Sequence, residues 1–106
     1  MTKNELLQIA KKDNWKFYFH LTSQYCPEQY NVYSSEEAFL CEEEPIGYVR
    51  LRWGYLFCEV PFDGETVYEY QFEDSLQGSM DDNEREFHIK KIKQAIKDYL
   101  ISEEND

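Results

Sequence analysis

The groups in this chain that could do chemistry are its carboxylates, three cysteines, two histidines and two isolated arginines. Cys26, Cys41, Cys58, His20 and His88 are of the types that ligate metals or form Cys–His nucleophile pairs. Their wide spacing matches no ligand pattern and contains no CxxC. Cys58 falls on the apolar side of an alternating run, where a cysteine acts as a small hydrophobe. Cys41 precedes Glu42, Glu43 and Glu44, whose charge disfavours a thiolate. No glycine-rich phosphate loop, HExxH or GxSxG occurs. Carboxylates lie close together in many places. Among 22 acidic residues such proximity carries no information about acid–base catalysis. The sequence therefore reads as non-enzymatic, with no metal or cofactor.

Charge and surface remain. The formal net charge is −11, and it is unevenly placed. Between positions 17 and 84 the only lysine or arginine residues are Arg50 and Arg52. An acidic middle repels nucleic acid and anionic membranes and favours basic partners. The chain has no apolar stretch of about 20 residues and no leader-like segment, and three cysteines cannot all pair, so a cytoplasmic setting is expected.

The elements that position these groups centre on residues 47–74, which read as three antiparallel strands. A two-residue turn at Trp53-Gly54 pairs Leu51 with Leu56 and Val49 with Cys58 on one face. Arg52 then opposes Tyr55, Arg50 opposes Phe57 and Tyr48 opposes Glu59 on the other. At the next turn, a three-residue loop Phe62-Asp63-Gly64 with Gly64 left-handed keeps Tyr68, Tyr70 and Phe72 on the apolar face, whereas a two-residue loop would flip them. The outer face then carries Arg50, Arg52, Tyr55, Phe57, Glu59, Val67, Glu69, Gln71 and Glu73.

Thr2-Lys3-Asn4-Glu5 matches a capping box and starts a first helix ending near Asp13. Residues 15–21 alternate as a strand, with Trp15, Phe17, Phe19 and Leu21 inward and Lys16, Tyr18 and His20 outward. Within residues 22–46, Tyr30 to Tyr33 suggests a short edge strand. Ser35 is placed to cap a short helix that Phe39 and Leu40 pin to the core. Residues 74–82 read as a mobile connection. A last helix over 84–101, capped by Asp82 or Asn83, presents Ile89, Ile92, Ile96 and Leu100, widened by Phe87, Ala95 and Tyr99. His88 is expected at its boundary, and residues 102–106 as a frayed tail.

The expected architecture is a single α+β domain: an antiparallel sheet of about four strands, with N- and C-terminal helices on one face, in α-β-β-β-β-α order. The expected function is a non-enzymatic acidic module that binds a basic, nucleic-acid-handling protein, as inhibitors and immunity proteins of phages and mobile elements do. In it carboxylates substitute for phosphates. The partner-binding residues would be Glu42, Glu43, Glu44, Arg50, Arg52, Tyr55, Phe57, Glu59, Glu69 and Glu73. One alternative is a small-molecule enzyme or carrier with an aromatic pocket between sheet and helices. Another is single-strand nucleic-acid binding on the sheet, which the net charge disfavours.

Overall fold

The computed structural model describes residues 2–24, 27–61 and 64–102. Its elements are α1 (Lys3–Lys12), β1 (Tyr18–Ser23), β2 (Glu28–Tyr33), α2 (Glu36–Leu40), β3 (Gly47–Arg52), β4 (Tyr55–Val60), β5 (Glu65–Gln71) and α3 (Asp82–Ile101). The class is α+β. The five described strands form one antiparallel sheet in the order β1-β2-β3-β4-β5. The strand at residues 28–33 is therefore not an edge: β2 pairs with both β1 and β3.

The Thr2 hydroxyl accepts the Glu5 amide at 3.1 Å and caps α1, whose Leu6, Leu7 and Ala10 are buried. The helix closes through Asn14 and Trp15, both at positive φ, with the Trp15 amide donating to the Ala10 carbonyl at 2.8 Å. Trp15 is thus taken up in ending the helix, and β1 starts at Tyr18 rather than at position 15. Ser35 caps α2 as expected, accepting the Ala38 amide at 3.1 Å. Leu40, expected in the core, is 70% exposed. Phe39, also expected in the core, lies outside the core cluster, and the one face this five-residue helix buries, Ala38 and Phe39, packs on the outward residues of β1 and β2. Phe39 stacks on Tyr18 and His20, with ring centroids 5.2 and 4.3 Å away, and meets Tyr33 at 5.2 Å.

Leu51 pairs with Leu56 and Val49 with Cys58, and all four are buried. Across β4–β5, Leu56 pairs with Tyr70 and Cys58 with Tyr68, the register the apolar pattern selects. Parity is restored by a different device from the one expected. Val60 pairs with Glu65, and the ladder slips by one residue between Cys58 and Glu59. Val67 becomes the extra residue of a bulge and packs against the core instead of the outer face. Gly64 is not left-handed. A Cβ there would lie 2.6 Å from the Pro61 carbonyl oxygen, so close approach accounts for the glycine. Phe62 and Asp63, also assigned to that turn, lie outside the described residues.

Helix α3 begins two residues earlier than expected, at Asp82, and its cap is Asp81, in a capping box with Glu84. Its buried row is His88, Ile92, Ile96 and Leu100, each one turn beyond the last. His88 therefore sits in the core row rather than at its boundary, and Phe87 is 54% exposed rather than widening the stripe. α1 and α3 pack together over the face that holds Val49, Leu51, Leu56 and Cys58. Ser102 caps α3 and receives Lys3 Nζ at 2.8 Å, so it is not part of a frayed tail; residues 103–106 lie outside the described chain.

Candidate functional site: the outer sheet face and its turn

The pleat aims Tyr48, Arg50 and Arg52 of β3, and Tyr55, Phe57 and Glu59 of β4, away from α1 and α3. Tyr55 stacks on Phe57 with centroids 5.6 Å apart, and Tyr48 meets Phe57 edge-on at 6.2 Å. The Tyr55 hydroxyl donates to Glu69 at 2.6 Å. That bond to a carboxylate, aided by partial burial, raises the phenol pKa. On the far side, the Tyr48 hydroxyl donates to the side-chain carbonyl of Gln29. The face is thus held by rings and hydroxyl bonds across four strands.

The arginines behave differently from each other. Arg50 lies between Gln29 and Phe57 across the ladders. Its Nε is shielded from solvent, with no hydrogen-bond partner among the described residues. Arg52 is exposed and lies over Trp53, 5.7 Å from the ring centroid. Among the described residues, neither makes an ion pair with Glu59 or Glu69.

The site residues named from sequence do not form one patch. Arg50, Arg52, Tyr55, Phe57, Glu59 and Glu69 share the outer face. Glu73 lies beyond β5, which ends at Gln71, so Glu69 and Glu73 do not share a strand. Glu42, Glu43 and Glu44 follow α2, which packs on β1 and β2. Three strand spacings, roughly 14 Å, separate β2 from β5. The three glutamates are exposed and line a groove of about 450 Å³ with Lys12 and Asp13 of the α1 end. A second open groove, about 470 Å³, runs between that end and Ser35, Glu36 and Glu37. Both are surface features. Between sheet and helices the space is filled by Leu51, Leu56, Ile92, Ile96 and Leu100.

At one end of this face, Trp53 and Gly54 both have positive φ, 55° and 72°, the signature of a type I′ turn. The segment after β5 wraps around it. The Gly54 amide donates to Gln77 O at 2.8 Å, and the Phe72 amide donates to Gly54 O at 2.7 Å. A Cβ on Gly54 would meet Asp74 O at 2.5 Å. Further along, Glu28 N donates to Gly78 O at 2.9 Å, and Met80 is buried. The connection at 74–82 is therefore tied down along its length.

What ties it is a pair the sequence reading missed. Glu28 is wholly buried, and its carboxylate accepts from Arg85 Nε and Nη2, the Met80 amide and the Tyr30 hydroxyl, all within 3.0 Å. Burial alone would raise its pKa. The bonds from Arg85, Tyr30 and Met80, with the Arg85 charge, outweigh that and hold it below the usual carboxylate value. Burial and the adjacent carboxylate push Tyr30 upward. The ion pair raises Arg85 against the opposing effect of burial.

A second missed cluster lies between β5 and α3. His88 is enclosed by Tyr68, Tyr70, Phe72 and Phe87, with centroids 4.6 to 6.1 Å away. The Tyr68 hydroxyl lies 2.8 Å from His88 Nδ1. Burial lowers the His88 pKa, with Glu84 opposing weakly. Among the described residues no group of three His, Cys, Asp or Glu is arranged to hold a metal ion. Cys58 is buried, its thiol pushed up to about 12 by burial and by Glu59, while Cys41 is exposed. Cys26 lies outside the described residues. No described helix is long and apolar enough to cross a membrane. No family model, no curated protein and no solved structure matches this chain.

Proposed function

We propose that this chain is a non-enzymatic, acidic protein-binding module that occupies a basic site on a partner protein. The partner is one that handles nucleic acid, and the chain acts as an inhibitor or immunity protein in the cytoplasm. The observation that carries this reading is the scarcity of cations on the sheet and its connections. Apart from Arg50 and Arg52, every lysine and arginine belongs to α1, α3 or the turn after α1. Several are held against rings: Lys3 over Tyr99 and Lys91 over Phe87 of α3, Lys97 over Trp15 of the turn after α1, and Lys93 over Phe19 of β1. The sheet side and its connections carry Glu36, Glu37, Glu42, Glu43, Glu44, Glu65, Glu69, Glu73 and Asp74 exposed. Carboxylates displayed where cations are scarce suit a cationic groove, so phosphates and these carboxylates compete for the same site.

The test is affinity capture from host lysate at low and high salt, with identification of what binds. Capture of a basic, nucleic-acid-binding protein that nucleic acid displaces supports the reading. Retention unaffected by salt or nucleic acid counts against it.

A further inference from the structure

Trp53 is costly to the fold and unexplained by it. A two-residue turn with both φ values positive is best served by Asn-Gly, and a bulky side chain at positive φ is an outlier. The indole gains little burial in return, since it is 62% exposed. Leu76 stands beside it, 72% exposed, on a segment whose Asp74 carboxylate accepts the Leu76 amide at 2.9 Å. The backbone bonds between Gly54, Phe72 and Gln77 fix turn and segment together. Two large apolar side chains are thereby displayed on rigid backbone, the arrangement that lowers the ordering cost of binding.

With Arg52 and Gly78, Trp53 and Leu76 line a cleft of about 180 Å³. That is smaller than the cavities that enclose drug-sized ligands, and suits one inserted side chain. Exposed Asp74 adjoins the cleft, its carboxylate accepting the Leu76 amide, and exposed Glu73 precedes it in the chain, while the cation in the lining, Arg52, is already placed over the indole.

We propose that Trp53 and Leu76 form an apolar anchor for a basic segment of the partner protein, which inserts one apolar side chain between them while its Lys or Arg residues face Glu73 and Asp74. The basic character of the segment rests on the acidic-module reading above. The anchor itself rests on the turn geometry.

The probe is a random peptide library displayed on phage, selected on the immobilised full chain. Enriched peptides should combine Lys or Arg with a large apolar residue. They should bind Trp53→Asn and Leu76→Ala at least about tenfold more weakly than the parent. In a Trp15→Phe background, Trp53 emission should shift to shorter wavelength on binding. Trp53→Asn keeps the preferred turn pair, so its melting temperature should equal or exceed the parent's. A clear loss of melting temperature would make Trp53 a structural residue and overturn the proposal. So would no enrichment, peptides that bind Trp53→Asn as tightly, or Trp53-dependent self-association in sedimentation. Peptides that need Trp53 but lack basic residues and ignore salt would keep the anchor and remove the acidic reading. Basic peptides that ignore Trp53→Asn yet weaken on Glu73→Gln would do the reverse.

Discussion

Arg85, in the first turns of α3, grips Glu28 at the start of β2, with Nε and Nη2 each 3.0 Å from a different carboxylate oxygen. The bidentate geometry crosses 57 positions of sequence and joins an inner strand to the last helix. Because Met80 N also donates to Glu28 and Met80 O accepts from Arg85, the pair clamps the connection between them. That clamp helps hold the segment packed behind the Trp53-Gly54 turn.

Arg85→Ala should be strongly destabilising, about 3–5 kcal/mol, because it leaves a buried carboxylate without its cation. The double variant Glu28→Ala/Arg85→Ala should cost less than the sum of the two singles. Chemical denaturation of all four proteins checks this. Additive losses would mean that the pair is not coupled.

Acidification should lower stability in two steps. His88 has a folded pKa below its ordinary 6.5, so the unfolded chain binds that proton first, and stability falls as pH drops from about 6.5 toward the folded value. Glu28 has a folded pKa below 4.5, so its contribution is present above that pH and is lost as pH falls through the folded pKa. Melting temperature against pH should lose the upper step in His88→Gln and the lower step in Glu28→Gln.

These two groups also mark the limit of what the sequence revealed. The pairing of β5 on β4 was legible because a one-residue slip would have turned Tyr68 and Tyr70 outward and brought Glu69 and Gln71 onto the apolar face. The cap of α2 at Ser35 was legible because its signal is local. Glu28 was not, since a carboxylate is assigned to solvent unless its partner is known, and Arg85 lies 57 positions away. His88 was misjudged because a polar residue in an apolar row is read as its edge. Here the rings of Tyr68, Tyr70 and Phe72 enclose it. Position 15 looked like strand because Trp15 continues the alternation, but the left-handed exit from α1 takes that residue out of it. Of the candidate surface, the face shared by Arg50, Arg52, Tyr55 and Phe57 followed from pairing. Its distance from Glu42, Glu43 and Glu44 did not, because strand order is not local information.

Ile92→Ala should destabilise by about 2–5 kcal/mol, since Ile92 is wholly buried in the row that α3 lays over the sheet. A near-neutral change in melting temperature would contradict the packing of α3 on that face.

Thiol labelling under native conditions should modify Cys41 and spare Cys58, which is buried with its thiol pushed up to about 12. Cys58 should react only after denaturant is added. Equal native labelling of both would show that the core beneath β4 opens readily.

The acidic-module reading is tested most directly by association kinetics with the captured partner over a salt series. The comparison sets Glu42→Gln/Glu43→Gln/Glu44→Gln and Glu69→Gln/Glu73→Gln against the parent. Exposed carboxylates act through long-range attraction, screened within about 8–10 Å at ordinary ionic strength. Both variants should melt as the parent does, associate more slowly and show a shallower salt dependence, with dissociation little changed. Association rates equal to the parent's in both variants, together with affinity flat across the salt series, would contradict the acidic-module reading and leave the charge with a solubilising role.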